Sequence, residues 1–130
     1  MFIIYILVGI FLFFIGMQIS MVILAKKSKG IRLSGLSASL KKLEGNDSKG
    51  LVYFHSPQCH ACKTQTPIIK KLQDSYKNLY DVDISKDFAA AKAFGIKATP
   101  TLIQVENGTV KDVFLGAKRE HEIVSILAHM

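Results

Sequence analysis

A chain of 130 residues, 49% of them hydrophobic, points to one domain of modest size. Its net charge of +7 is uneven: no Lys, Arg, Asp or Glu precedes Lys26, and from Lys26 to Lys49 seven positive side chains face only two negative ones. The basicity is therefore a local cluster. With no nucleic-acid-binding motif and no internal repeat beside it, it excludes a nucleic-acid partner and a repeat architecture.

Phe2 to Leu24 is almost wholly apolar. At about 1.5 Å per residue, a helix of that length crosses a hydrocarbon core of roughly 30 Å. A domain this small has too little surface to cover such a helix on all sides. A cleaved signal peptide would need a positive n-region, a shorter apolar core and a small-x-small site. Here no Lys or Arg precedes the run, and Ile23 stands three residues before a cut after Ala25. Residues 1–25 are thus expected to be a retained, single-pass transmembrane anchor. Gly16 and Ser20 form a small-xxx-small pair that permits helix contact in the membrane. Lys26, Lys27, Lys29 and Arg32 are suited to anionic headgroups and equally to a topology signal. The positive-inside rule puts the rest of the chain in the cytoplasm; an extracytoplasmic domain is the alternative.

Residues 26–49 read as a basic juxtamembrane linker with one short amphipathic helix, Ser34 to Glu44. Leu33, Leu36, Leu40 and Leu43 recur there at helical spacing. A loop over Gly45–Gly50 leads to Leu51–Phe54, a short apolar run suited to a buried central strand. Next comes a helix from His60 to Lys77, apolar at Ile68, Ile69, Leu72 and Tyr76 and kinked at Pro67. Leu79–Ile84 is a second strand, and Asp87–Phe94 a short helix stopped by Gly95. Thr101–Val105 and Val110–Leu115 are strands of a hairpin turning at Asn107-Gly108. Lys118–Ala128 is the last helix. Strand, helix, strand, helix, hairpin, helix makes a small α/β layer fold with a mixed sheet over residues 50–130.

The only two cysteines, Cys59 and Cys62, lie where the first strand gives way to its helix. A helix start offers free N–H groups and the positive end of the macrodipole, and both favour a thiolate. A cysteine there titrates below its free value of about 8.5 and attacks disulfides. A second cysteine one turn on can resolve the mixed disulfide. His60, if protonated, would add to the dipole and make the disulfide more oxidising; the bland reading leaves it neutral in solvent. His55, at the strand end, either assists or faces solvent. His121 and His129 read as solvated helix residues.

From Gly50 to Leu127 the chain resembles the thioredoxin family. Cys59-His60-Ala61-Cys62 resembles the family's motif at a strand-to-helix junction, and Pro67 stands where that family kinks its helix. Gly95 to Thr101 resembles the segment that holds the family's cis-proline, which would be Pro100 after Thr99. Gly116 matches a glycine near the substrate groove. The resemblance implies a thioredoxin-like fold, a mixed sheet flanked by helices; the apolar run sets one transmembrane helix before it. It implies a thiol–disulfide oxidoreductase acting on protein thiols and disulfides and served by a partner oxidoreductase. Its only redox group would be the Cys59–Cys62 disulfide, with no separate cofactor. The departures are specific. Gln58 replaces the usual Trp, and His60-Ala61 the usual Gly-Pro. Tyr53 and Leu79 replace the buried Asp–Lys pair, which leaves the proton acceptor for Cys62 open among Asp81, the histidines and water. The family's first strand has no evident counterpart.

Two other readings compete. Cys59, His60, Cys62 and His55 are a conceivable set for Cu(I) or Zn²⁺, although adjacent Cys-His spacing suits a closed tetrahedral site poorly. A static disulfide across three residues would staple little. Lys63 argues against covalent haem, because it occupies the place of the histidine in Cys-x-x-Cys-His.

Overall fold

An uninterrupted apolar run with no helix breaker forms a long helix, α1, from Phe2 to Lys26. In the computed structural model, which describes residues 1–130 with the side chain of Ala25 excepted, α1 projects from the rest of the chain. Its window Phe2–Leu24 buries nothing against the domain and is long and apolar enough to span a membrane.

The remaining elements are β1 (Lys49–His55), α2 (His60–Ser75), β2 (Leu79–Asp83), α3 (Phe88–Ala93), β3 (Thr101–Glu106), β4 (Thr109–Leu115) and α4 (Glu120–Ala128). They build a four-stranded sheet in the order β2-β1-β3-β4. β1 pairs with β2 in parallel, Phe54 opposite Val82, and antiparallel with β3, Phe54 opposite Thr101. This is the expected mixed sheet flanked by helices.

β1 is central, so alternate residues feed two cores. Val52 and Phe54 join Phe94 and Ile103 on one face; Leu51 and Tyr53 join Ile69, Leu72 and Ile123 on the other. A strand buried on both sides must be apolar throughout, which is why Leu51–Phe54 shows no alternation. α2 and α4 cover the second face with Ile69, Leu72, Ile123 and Leu127.

The first face is covered differently from the expectation. The amphipathic helix over Ser34–Glu44 is not formed; only Lys41–Glu44 makes a 3-10 turn. Gly35 takes a left-handed conformation, φ 69°, which a continuing helix does not allow. The Glu44 carboxylate then accepts from the Leu36 N–H at 2.6 Å. The four leucines are nonetheless all buried in the first core. Their spacing reports a buried face, and turns present it as well as a helix would. Just upstream, Arg32 bridges antiparallel to Thr109 at the β4 edge, a single bridge beside the four-stranded sheet. α4 starts at Glu120, two residues later than expected, because the Glu122 carboxylate accepts from the Arg119 N–H at 2.8 Å and caps it there.

Candidate active site

β1 ends at His55, and Ser56-Pro57-Gln58 carries the chain to the start of α2. Cys59 is the N-cap of α2 in extended conformation, and its Sγ accepts from the Cys62 N–H at 3.2 Å. The Cys59 sulfur therefore occupies the position where a capping oxygen normally satisfies a free helix N–H. A thiolate there gains both that hydrogen bond and the helix dipole. Cys59 is half-buried, whereas Cys62 is only 2% exposed. The two stand at disulfide distance, Cα atoms 5.3 Å apart, well inside the range a disulfide requires.

The side chains of Gln58, His60 and Ala61 are exposed around this pair. The Thr99–Pro100 peptide is cis, and the Pro100 carbonyl accepts from the Gly116 N–H at 2.9 Å. That bond ties the loop before β3 to the loop after β4. Thr101, next in the chain, returns its hydroxyl to the Ala98 carbonyl at 2.7 Å.

Behind Cys62 opens a groove of about 410 Å³. His55, Thr66, Lys63 and Asp83 share its wall with Cys62. His55 stacks on Tyr53 with ring centroids 5.2 Å apart, and its Nε2 lies 3.5 Å from the Asp81 carboxylate. Nε2 is buried and makes no hydrogen bond among the described residues. Asp81 is itself held by Lys70 at 2.9 Å and Gln73 at 2.8 Å. Burial pushes the Asp81 carboxyl up; hydrogen bonds from Gln73 and Lys70 and the Lys70 and His55 charges outweigh it and hold it below the usual carboxylate range. Tyr53 fills the space under the active-site turn. Its hydroxyl meets Thr66 Oγ1 at 3.0 Å, and burial pushes the phenol up despite that hydrogen bond, so it stays neutral.

Thr66 and Asp83 carry no motif that marks them in the sequence. Thr66 had one usable signal: it lies four residues after Cys62, on the same face of α2. For the metal reading, His60 is exposed and His55 is stacked on Tyr53. Among the described residues no group of three or more His, Cys, Asp and Glu side chains converges as a metal site would need.

Comparison with known proteins agrees with this geometry. The Thioredoxin family model matches residues 37–129. Thioredoxin of Malassezia sympodialis is 28% identical over 93 residues, covering 68% of this chain and 89% of that protein. Thioredoxin 2 of Plasmodium berghei is 35% identical over 78 residues, 58% of this chain; the chain spans only 46% of that protein. Among solved structures, the Malassezia sympodialis thioredoxin superposes with a TM-score of 0.62 at 23% identity, over 78% of this chain and 90% of that one. The reduced Schistosoma mansoni thioredoxin pre-protein gives 0.60 at 26% identity, over 72% and 90%. A family match over most of the chain, joined to a helix-capping cysteine and its partner at disulfide distance, places this chain in the thioredoxin family as a thiol–disulfide oxidoreductase.

Proposed function

We propose that the chain is a membrane-anchored oxidoreductase whose Cys59-His60-Ala61-Cys62 site exchanges electrons with protein substrates. The observation that supports this reading is the Cys62 N–H donated to Cys59 Sγ, a bond that would stabilise a thiolate there once the pair is reduced. In the reducing direction, Cys59 thiolate attacks a substrate disulfide. One substrate sulfur leaves as a thiolate and takes a proton. Cys62 then gives up its proton and attacks Cys59 Sγ. The second substrate sulfur leaves, and the Cys59–Cys62 disulfide remains, two electrons having passed to the substrate. His55 takes the Cys62 proton, since it shares the groove behind that thiol where the family's buried acid is replaced by Tyr53. Thr99-Pro100 offers backbone to a substrate strand beside Cys59, and Gly116 keeps the adjoining groove free of side chain. Gln58 and His60 frame the mouth of the site.

α1 anchors the enzyme, and the basic flank after it assigns the domain to the cytoplasmic face by the positive-inside rule. Labelling of a cysteine added in the Gly45–Gly50 loop by an impermeant reagent in intact cells would reverse that side.

The test is trapping. Cys62→Ser should accumulate mixed disulfides through Cys59, visible by mass on a non-reducing gel, and Cys59→Ser should form none. Equilibration with glutathione then sets the direction of flow: a potential near about −270 mV makes a reductant and one near about −120 mV an oxidant. No reversible Cys59–Cys62 disulfide at any poise would sink the proposal. His55→Gln should shift the pH profile of the resolving step while leaving the first attack by Cys59 unchanged; an unshifted profile removes His55 from the proton path.

A further inference from the structure

The connection between α1 and the domain is short and pinned. α1 ends at Lys26, and Ser28 is already buried, its hydroxyl donating to the Gly95 carbonyl at 3.2 Å. A Cβ on Gly95 would come within 2.8 Å of that hydroxyl, so the seat is shaped to the contact. Lys29 pairs with Asp112 at 2.7 Å, and the Gly30 N–H donates to the Val110 carbonyl at 2.8 Å. No free linker separates the membrane helix from the β4 edge.

The place of attachment matters more than its tightness. Ser28 shares a small pocket with Thr101 and Leu115, the residues that follow Pro100 and precede Gly116. Leu24 and Lys27 share a cavity of about 350 Å³ with Gly95 and Lys97. Leu24 is the last residue of the apolar span. Lys97 is three residues from Pro100, at most about 11 Å of chain. The membrane helix thus leaves the domain beside the cis-proline loop, at the end of the sheet where β1 delivers Cys59. Lys27 and Lys97 are exposed there, on the side where headgroups would lie.

From this placement we infer that the exchanging face is held against the bilayer surface. Its substrate class is cysteines of membrane proteins that lie within or just outside the headgroup layer on the same side. This inference rests on the exchange and anchor readings above. The step is the one already written, with a membrane-held disulfide as the electron acceptor. Confinement raises the effective concentration of such a disulfide at Cys59, and a soluble one gains nothing from it.

The experiment uses the full chain, reduced and reconstituted in phospholipid vesicles. Two transmembrane peptides serve as probes, each with one cysteine capped by thionitrobenzoate. In one the cysteine sits at the headgroup level; in the other it stands on a rigid helix about 30 Å above it. Release of the coloured thiol should be faster from the near probe by about tenfold or more. A flexible Gly-Ser insert between Lys27 and Ser28 should bring the two rates together. Equal rates in the unmodified chain, or a preference that survives the insert, overturns the inference while leaving exchange intact. A soluble capped peptide is the control for exchange itself. If none of the three disulfides reacts, or if alkaline carbonate strips the chain from the vesicles, the underlying reading fails and this inference with it.

Discussion

Asp81 shows how single side chains set the ground under the active site. Its carboxylate faces Lys70, Gln73 and His55, and these partners hold its folded pKa below the usual value in spite of burial. A carboxylate whose pKa is lowered by folding stabilises the fold above its unfolded pKa, about 3.9, and loses that contribution as pH falls through the folded value. Asp81→Asn keeps an acceptor for Gln73 but removes the charge. It should be less stable than the parent at pH 7, and the gap in urea midpoints should close below about pH 4; a gap that persists at pH 2 would assign the effect to shape rather than charge. Tyr53→Phe probes the neighbouring hydroxyl. Loss of its hydrogen bond to Thr66 should cost about 1 kcal/mol with the urea slope unchanged. Cys59 and Cys62 were legible in the sequence because their chemistry belongs to the residue type and needs only a helix start. The Tyr53–Thr66 and His55–Asp81 contacts were not, since they depend on how α2 crosses β1 and β2.

Elements were legible where local chemistry and the tertiary structure ask for the same conformation. Asn107 and Gly108 both take positive φ, 54° and 71°, in a two-residue loop that pairs Glu106 with Thr109. Such a loop matches strand twist, and Asn-Gly is the pair that tolerates it. Gly108 has a second reason to lack a side chain, because a Cβ would stand 2.7 Å from the Glu44 carbonyl oxygen. Gly108→Ala should therefore destabilise by more than the roughly 1 kcal/mol of a left-handed alanine alone, read as a lowered midpoint of thermal unfolding. The Ser34–Glu44 segment departs from its expected helix for the opposite reason. Its leucine spacing is helical, but its serines and Gly35 favour turns, and the Leu36 N–H finds its acceptor in the Glu44 side chain rather than in a helix carbonyl. Periodicity reports which residues are buried; it names the backbone conformation only when propensity agrees.

At the scale of the molecule, the sheet has two faces to cover, and among the described residues α3 is the one α-helix packed on the first. Leu33, Leu36, Leu40 and Leu43 complete that cover over Val52, Phe54, Ile103 and Val105. Burying a leucine is worth about 1.5–3 kcal/mol, so four of them supply about 6–12 kcal/mol against a usual total stability of about 5–15 kcal/mol. The segment between α1 and β1 is thus a structural part of the domain, although its charge makes it look like a linker. A fragment beginning at Gly30 keeps these leucines and the bond from Gly30 to Val110, and it should unfold in one cooperative transition. A fragment beginning at Gly50 exposes Phe54 and Ile103 to water and should show no such transition, with amide exchange unprotected along β1 and β3. Cooperative melting of the shorter fragment would mean that α3 and the sheet close this face without the leucines. The same packing fixes the fold to α1, for the chain that covers the first face begins at the residues seated on Gly95 and Val110.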